Sequence, residues 1–283
     1  MKILVIGDAM VDVYYEGAVT RLNPEKHSAP LVSVSKVTRL PGGAANVAKN
    51  LTNLGVDAPL ISGKGSIVKS RVVDDSGVIC RFDQDDELVS VEAKDLPEEL
   101  FADLDGLVIS DYAKGSLTPY VAGKIKELAK CPIFVDTKQH PAPWVGGATC
   151  FFPNATEFGE HAYDYKLAKL TLVKLGGGGA QVYRAGVRSE KFPSLTTVVS
   201  NVSGAGDTVV AAFAAAYCAL KNLHKSPELE YCSSIFAMQA AAVAVSKPLT
   251  YAPLLREILE EFPDIHPEIM GELTGRSWEA EGA

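Results

Sequence analysis

Five short apolar runs in this chain each stop on a polar, acidic or glycine residue. Residues 3–6 end at Gly7-Asp8, 107–109 at Ser110-Asp111, 133–135 at Asp136, 150–152 at Pro153-Asn154, and 170–175 at Gly176. Helix-like stretches lie between some of them, as at 44–54 and 119–130. A short continuous apolar run fits a strand buried on both faces, and strands of that kind alternating with helices build a parallel α/β sheet. Ligands of such sheets bind beyond the carboxyl ends of the strands, so the polar stops are expected along one rim. Residues 10–37 and 66–91 differ. They are rich in β-formers, alternate, and carry charge, which predicts antiparallel strands outside the main sheet, arranged as a small lid over the rim.

Chemistry is densest at Asn201-Val202-Ser203-Gly204-Ala205-Gly206-Asp207-Thr208, which leads into the alanine-rich run 209–220. A glycine turn opening a helix leaves backbone N–H groups free, and with the helix dipole these attract an anion. Asp207 in the first turn would repel a bound phosphate. The pairing makes chemical sense if the carboxylate takes a proton from a hydroxyl that attacks that phosphate. The same residues also read as a plain turn and helix start. A second glycine element, Pro41-Gly42-Gly43-Ala44-Ala45-Asn46, allows close approach to the backbone, and Asn46 could bond sugar hydroxyls; small packing residues at a helix start explain it equally. Asn154-Ala155-Thr156-Glu157 suits either a hydrated Mg²⁺ with its phosphates or a helix cap.

Cationic candidates for a phosphate are Arg21, Lys69, Arg71, Arg81, Lys114 and Lys138, with Lys114 and Lys138 following strand ends. The chain has no G-x-x-x-x-G-K-[ST] and no G-x-G-x-x-G. Its net charge of −8, without a basic cluster, argues against nucleic acid or an anionic membrane as partner. Five scattered cysteines without C-x-x-C point to free thiols in a reducing compartment, hence the cytoplasm, and the five histidines show no zinc spacing. Gly7-Asp8 ends the first apolar run too early for a signal peptide, and no stretch is expected to span a membrane.

Taken in order, Gly42-Gly43-Ala44-Ala45-Asn46, Asn154-x-x-Glu157 and Gly204-Ala205-Gly206-Asp207 resemble the signatures of the ribokinase (PfkB) family of carbohydrate kinases, over residues from about 3 to 253. Within that family the chain is most similar to the heptose-phosphate kinases, on Gly7-Asp8-Ala9-Met10-Val11-Asp12-Val13-Tyr14, Arg21-Leu22-Asn23-Pro24-Glu25 and Ser110-Asp111-Tyr112-Ala113-Lys114-Gly115. The resemblance implies a ribokinase-like three-layer α/β/α sandwich with a mostly parallel central sheet and a small β-lid. Residues 1–262 would form one kinase domain, with lid strands within about 10–38 and 66–91, and residues 263–283 a C-terminal extension over the surface. No nucleotidyltransferase domain is expected to follow.

By the same resemblance Asp207 is the base, with the amides of Gly204, Ala205 and Gly206 as anion hole. Asp8, Asp12, Gly42, Gly43, Asn46, Arg71, Lys114 and Lys138 would contact a sugar phosphate. Asn154, Lys174, Gly176, Gly177, Gly179, Gly204 and Gly206 would bind ATP, and Asn154 and Glu157 would organise Mg²⁺ through phosphate or water. The expected reaction is phosphorylation of heptose 7-phosphate to the 1,7-bisphosphate, by a homodimer paired through its lids. The rivals are a kinase of a hexose phosphate or nucleoside, and a catalytically silent sugar-binding relative. Asn201 stands where the family usually has Asp, so activation by a monovalent cation should be weakened or lost. The chain is also shorter than the family between Leu60 and Lys69 and between Phe158 and Leu170.

Overall fold

The apolar runs form strands whose side chains divide between two cores. A computed structural model of the chain describes residues 1–283 except 87, 161–165, 197, 223–228, 265–266 and 275–283. In chain order the elements are β1 (Ile3–Gly7), β2 (Ala9–Asn23), β3 (Lys26–Gly43), α1 (Ala44–Asn53), β4 (Leu60–Ile61), β5 (Ile67–Asp74), β6 (Gly77–Asp85), β7 (Gly106–Asp111), α2 (Pro119–Leu128), β8 (Ile133–Thr137), β9 (Cys150–Phe151), α3 (Ala155–Glu160), β10 (Leu170–Lys174), β11 (Ala180–Arg184), β12 (Val187–Phe192), α4 (Ala205–Asn222), α5 (Leu229–Ser246), α6 (Leu255–Glu261) and α7 (Pro267–Thr274). Among the described residues the main sheet has the order β12-β11-β10-β9-β8-β7-β1-β4. Its neighbours from β10 to β4 are parallel, while β11 and β12 add an antiparallel edge.

Successive side chains of a strand point to opposite faces. Ile3 and Val5 of β1, with Val108 and Phe134, therefore face one core, covered by α1, α4, α5, α6 and α7. Leu4 and Ile6, with Leu107, Ile109 and Val135, face the other, covered by α2, the 3₁₀ turn carrying Phe101, and Trp144. These are the three expected layers. The alanines of α4 are buried and let α5 approach closely, and Phe213 fills the remaining space edge-on to Phe134 and Phe152, with centroids 6.1 and 5.2 Å away.

α5 has the length and the mean hydropathy, 1.2, of a membrane-crossing helix. Its apolar character runs all round because Phe236, Ala237, Ala240 and Val243 are buried in the core, and a helix enclosed by the protein has no wet face to keep polar. Of the expected C-terminal extension, 263–283, residues 265–266 and 275–283 lie outside the described residues, and the expectation of a surface segment needs correcting for residues 267–274. They supply α7, whose Ile269, Met270 and Leu273 are buried in the same core as α4, because these apolar residues recur at helical spacing in an otherwise polar segment.

The lid is a separate sheet of order β3-β2-β5-β6. β2 and β3 form a long hairpin and β5 pairs antiparallel with β6, but β2 and β5 run parallel, unlike the expected all-antiparallel arrangement. The chain leaves the lid through α1 and β4 and re-enters it in the direction of β2, which is what a crossover imposes. β3 continues past residue 38 to Gly43, and residues 88–91 leave the lid, Val89 exchanging backbone hydrogen bonds with Lys64. The step from β4 to β5 takes residues 62–66; part of the second region expected to be shortened, 161–165, lies outside the described residues. Because β2 starts directly after β1, and β3 runs directly into α1, the lid is anchored at the rim. Phe213→Ala should lower stability by about 3–5 kcal/mol, read as a shift in urea midpoint without a change in slope.

Candidate active site

The rim is assembled around Asp8, at the end of β1. Its carboxylate accepts hydrogen bonds from the backbone N–H groups of Tyr112 (2.8 Å), Lys114 (3.0 Å) and Ser116 (3.0 Å). Its own N–H donates to the Ser110 carbonyl, and its carbonyl accepts from Ala44 N–H, both at 3.0 Å. Asp8 is fully buried. In place of the expected sugar contact, the structure shows both carboxylate oxygens of this acid accepting backbone amides, which folds the loop after β7, while its carbonyl holds the start of α1.

Above it, the lid's inner face carries Asp12, Tyr14, Lys69 and Arg71. Asp12 pairs with Arg71 at 2.7 Å and accepts from Thr250 at 3.1 Å, and the Tyr14 hydroxyl bonds Thr250 Oγ1 at 2.7 Å. Arg71 also lies over the Tyr14 ring, 5.3 Å from its centroid. This buried network ties the lid to the loop after α5. Gly42 backs onto Asp12, and Gly43 caps α1 without contributing a side-chain bond.

Asp207 sits in the first turn of α4, nearly buried. Its Oδ2 accepts from Asn46 Nδ2 at 2.9 Å and its Oδ1 from the Tyr112 hydroxyl at 2.6 Å. Asn46 is oriented in turn by Asn50, whose Nδ2 donates to the Asn46 carbonyl and side-chain oxygens. Burial raises the Asp207 pKa to about 6, against the two hydrogen bonds and Lys174, which favour the anion; Asp136 adds to the rise. Gly204 takes φ +79° before the helix, and a Cβ there would lie 2.6 Å from Asn46 Nδ2, so the turn excludes any side chain. Of the expected anion-hole amides, Ala205 N–H is given to the Val202 carbonyl at 3.3 Å. Gly206 and Asp207 follow it in the first turn, where N–H groups have no intrahelical acceptor. Lys174 comes within 3.4 Å of the space a Gly206 side chain would fill, placing its ammonium beside these amides.

Next to Asp207 opens a cavity of about 520 Å³. One end is polar, with Tyr112, Asp136, Lys138, Asn154 and Lys174; the other is apolar, with Val202, Val209, Met238 and Val245. Gly176, Gly177, Gly179 and Gly206 also border it. Asp136 is fully buried between cations: burial alone would raise its pKa, but Lys174 at 2.6 Å and Lys138 more than offset that and hold it below the usual range. Its Oδ1 is buried without a hydrogen bond. Asn154 and Glu157 form a reciprocal cap on α3. Glu157 N–H donates to Asn154 Oδ1 at 2.9 Å, and Asn154 N–H to Glu157 Oε2 at 2.8 Å. Glu157 Oε1 binds the Asn154 amide and Lys138. With both Glu157 oxygens engaged, the carboxylate bordering the cavity that suits a hydrated Mg²⁺ is Asp136, whose Oδ1 makes no hydrogen bond and lies 3.6 Å from Lys138 Nζ. The expected Asn154–Glu157 pair anchors Lys138 instead.

The three cations expected at the sugar are all engaged. Arg71 neutralises Asp12, Lys114 pairs with Asp85 of the lid, and Lys138 faces the cavity on Glu157. Of the other candidates, Arg21 is exposed on the β2–β3 hairpin and Arg81 pairs with Asp83 on its own strand. Lys69 makes no ion pair among the described residues. It is half-buried, its Nζ stands 4.6 Å over the Tyr112 ring, and burial lowers its pKa while Asp12 and Asp207 pull it back. Lys69 and Arg71, two apart on β5, share the lid's inner face. Sequence marks Lys69 as a cation but not as the unpaired one, and it gives Tyr112 no signal beyond its place in the Ser110–Gly115 motif. Asn201, in the turn before α4, uses its side-chain oxygen to accept Ser203 N–H at 2.7 Å.

The family described as pfkB family carbohydrate kinase matches residues 83–257. The bifunctional protein HldE of Marinomonas sp. (strain MWYL1) is 34% identical over 294 residues, and that of Shigella dysenteriae serotype 1 (strain Sd197) 30%; each alignment covers 87% of this chain and 60% of the relative. The chain thus spans about 60% of the length of these curated relatives. The fold is similar to the ribokinase of Giardia lamblia, with TM-score 0.72, 15% identity and coverage of 94% of this chain and 99% of that one. It is also similar to the ribokinase of Thermotoga maritima, with TM-score 0.69, 17% identity and coverage of 93% and 99%.

The raised Asp207 pKa predicts a stability signature. An acid whose folded pKa is about 6 against 3.8 unfolded loses stability as pH rises through that window. The groups facing it are Asn46, Tyr112, Lys69, Asp136, Lys138 and Lys174. Asp207→Asn should therefore be more stable than wild type at pH 8, by about 1–3 kcal/mol, with the difference shrinking as pH falls toward about 4. Denaturant melts across that range read it.

Proposed function

The chain belongs to the pfkB family of carbohydrate kinases, and from that premise we propose that it transfers the γ-phosphate of ATP to heptose 7-phosphate, forming the 1,7-bisphosphate. The observation that carries a kinase reading is Asp207, a buried carboxylate at a helix start whose free amides and neighbouring Lys174 attract the transferring phosphate. Asp207 takes the proton of the attacking sugar hydroxyl, held in line by Asn46. Lys174, kept in place by Asp136, and Lys138, kept by Glu157, bring positive charge to the polar end of the cavity, while the apolar end suits an adenine ring. Mg²⁺ bound with ATP would neutralise phosphate charge there; Asp136, which borders that end of the cavity, would help to hold it, with Asn154 acting through water.

An acceptor carrying its own phosphate is supported by Lys69, whose charge is left unmatched by any ion pair among the described residues and projects from the lid over the rim. The heptose assignment rests on the sequence resemblance, and the relatives named HldE support that branch of the family. We place the enzyme in the cytoplasm, in keeping with its five scattered cysteines and the lack of a C-x-x-C pair. With Asn201 in place of an acid at this turn, activation by potassium should be weakened or lost. The lid exposes Val19, Leu22, Val34, Val78 and Phe82, and β3 and β6 are open edges, which supports a homodimer through the lids.

ADP release with ATP, Mg²⁺ and D-glycero-D-manno-heptose 7-phosphate tests the reading, beside hexose phosphates, nucleosides and a sugar-free blank. Heptose-dependent turnover should fall by about 10²–10⁴-fold in Asp207→Asn, and Lys69→Met should raise KM for the phosphosugar far more than it lowers kcat. Turnover on another acceptor would move the substrate within the family, and silence with intact sugar binding would favour a non-catalytic relative. Sedimentation at micromolar concentration should give a dimer, shifted toward monomer in Leu22→Lys/Val34→Lys.

A further inference from the structure

The hydroxyl that Asp207 holds in this structure belongs to the protein itself. Tyr112 Oη donates to Asp207 Oδ1 at 2.6 Å, while Asn46 takes the other oxygen. A general base must meet the hydroxyl it deprotonates at hydrogen-bond distance, and Tyr112 fills that position with a donor of the same kind as a sugar hydroxyl. It cannot stand in for the substrate chemically. Burial first, and then the charge of Asp207, hold the phenol pKa well above its ordinary value, so Tyr112 keeps its proton.

The ring is placed to swing while its backbone stays fixed. Tyr112 N–H and Lys114 N–H are both held by Asp8, and Ala113 N–H by Asp111 at 3.0 Å. The side chain borders the cavity beside Asp207, which gives it somewhere to go. Two ammonium groups stand over its ring: Lys69 from the lid at 4.6 Å and Lys138 from the end of β8 at 5.4 Å from the centroid. Cation–π attraction of this sort steadies a ring without fixing one rotamer. Tyr112 therefore touches the sugar side, the nucleotide side and the base at once.

We propose that Tyr112 is a positioning residue that masks Asp207 in the free enzyme and is displaced by the acceptor hydroxyl, so that the base opens only when a sugar is seated. The proposal rests on the kinase reading of this site. Its function is to suppress the side reaction in which water attacks the γ-phosphorus, gives its proton to Asp207 and releases ADP and phosphate. A sugar that seats well displaces the phenol; water, with no further contacts, does not.

The test is Tyr112→Phe, with Tyr112→Leu as a second variant and melting curves to establish that each is folded. Loss of a hydrogen bond to a charged acceptor should raise sugar-free ATP hydrolysis on the order of tenfold and lower KM for the acceptor by about as much, with kcat changing less than KM. The rise should vanish in Tyr112→Phe/Asp207→Asn. A fall in kcat of about tenfold or more at unchanged KM would put Tyr112 in the proton path and overturn the mask. Unchanged hydrolysis and KM in both folded variants, or hydrolysis that persists without Asp207, would overturn it as well. Sugar-free hydrolysis needs no knowledge of the acceptor. Calorimetry with ATP separates the two failures: ATP binding with unchanged hydrolysis sinks the mask alone, whereas no ATP binding by wild type sinks the kinase reading.

Discussion

Everything at the rim depends on how one buried carboxylate is satisfied. Asp8 is fully buried and unaccompanied by a cation within its hydrogen bonds; three backbone amides of the loop after β7 solvate it instead. Leaving a buried carboxylate without such partners would cost several kcal/mol, so the loop has little choice of conformation. That loop carries Tyr112 to Asp207 and Lys114 to Asp85 of the lid. Through its main chain the same residue fixes the end of β7 and the start of α1, and with α1 comes Asn46. A residue engaged with the backbone thus sets the positions of several that border the site.

Charge at the site is sorted into compartments. On the lid side Asp12 is matched by Arg71, leaving Lys69 as surplus. On the nucleotide side Asp136 lies between Lys174 and Lys138, and Glu157 is matched by Lys138. Asp207 stands between the two with only neutral donors as direct partners, and this is why burial can lift its pKa toward the working range of a base. Had a lysine been paired directly with it, the carboxylate would be a weaker base. The chain has a net charge of −8, so its affinity for phosphates comes from this local arrangement and not from an overall field.

Much of the frame was legible because strands buried on both faces leave a plain sequence trace. Each acid-ended apolar run became a neighbouring parallel strand, and the alanine-rich stretch after Asp207 became α4. Asp207, Asn46 and the cavity glycines were legible for the same kind of reason, a local turn or helix start that needs those residue types. What sequence could not supply was pairing. Nothing local distinguishes an acid that faces a sugar from Asp8, which faces amides, or a free lysine such as Lys69 from Lys114 and Lys138, whose partners lie 29 and 19 residues away in the chain. The parallel β2–β5 contact is hidden for the same reason, since each strand alternates in the same way whichever direction its neighbour runs.

The lid joins these arguments. Its inner face is polar and buried, a combination that is unfavourable unless each group finds a partner, and Tyr14, Thr250, Asp12 and Arg71 provide one another with those partners. Such a network holds the lid at one distance from the rim, because each bond loses strength steeply with misalignment. Lys69, two residues from Arg71 on the same face, is carried to that distance passively and stands over Tyr112 without a partner that fixes it. The structural bonds therefore lie to one side and the free charge over the chemistry, so a ligand's phosphate could engage Lys69 without breaking the contacts that keep the lid in place.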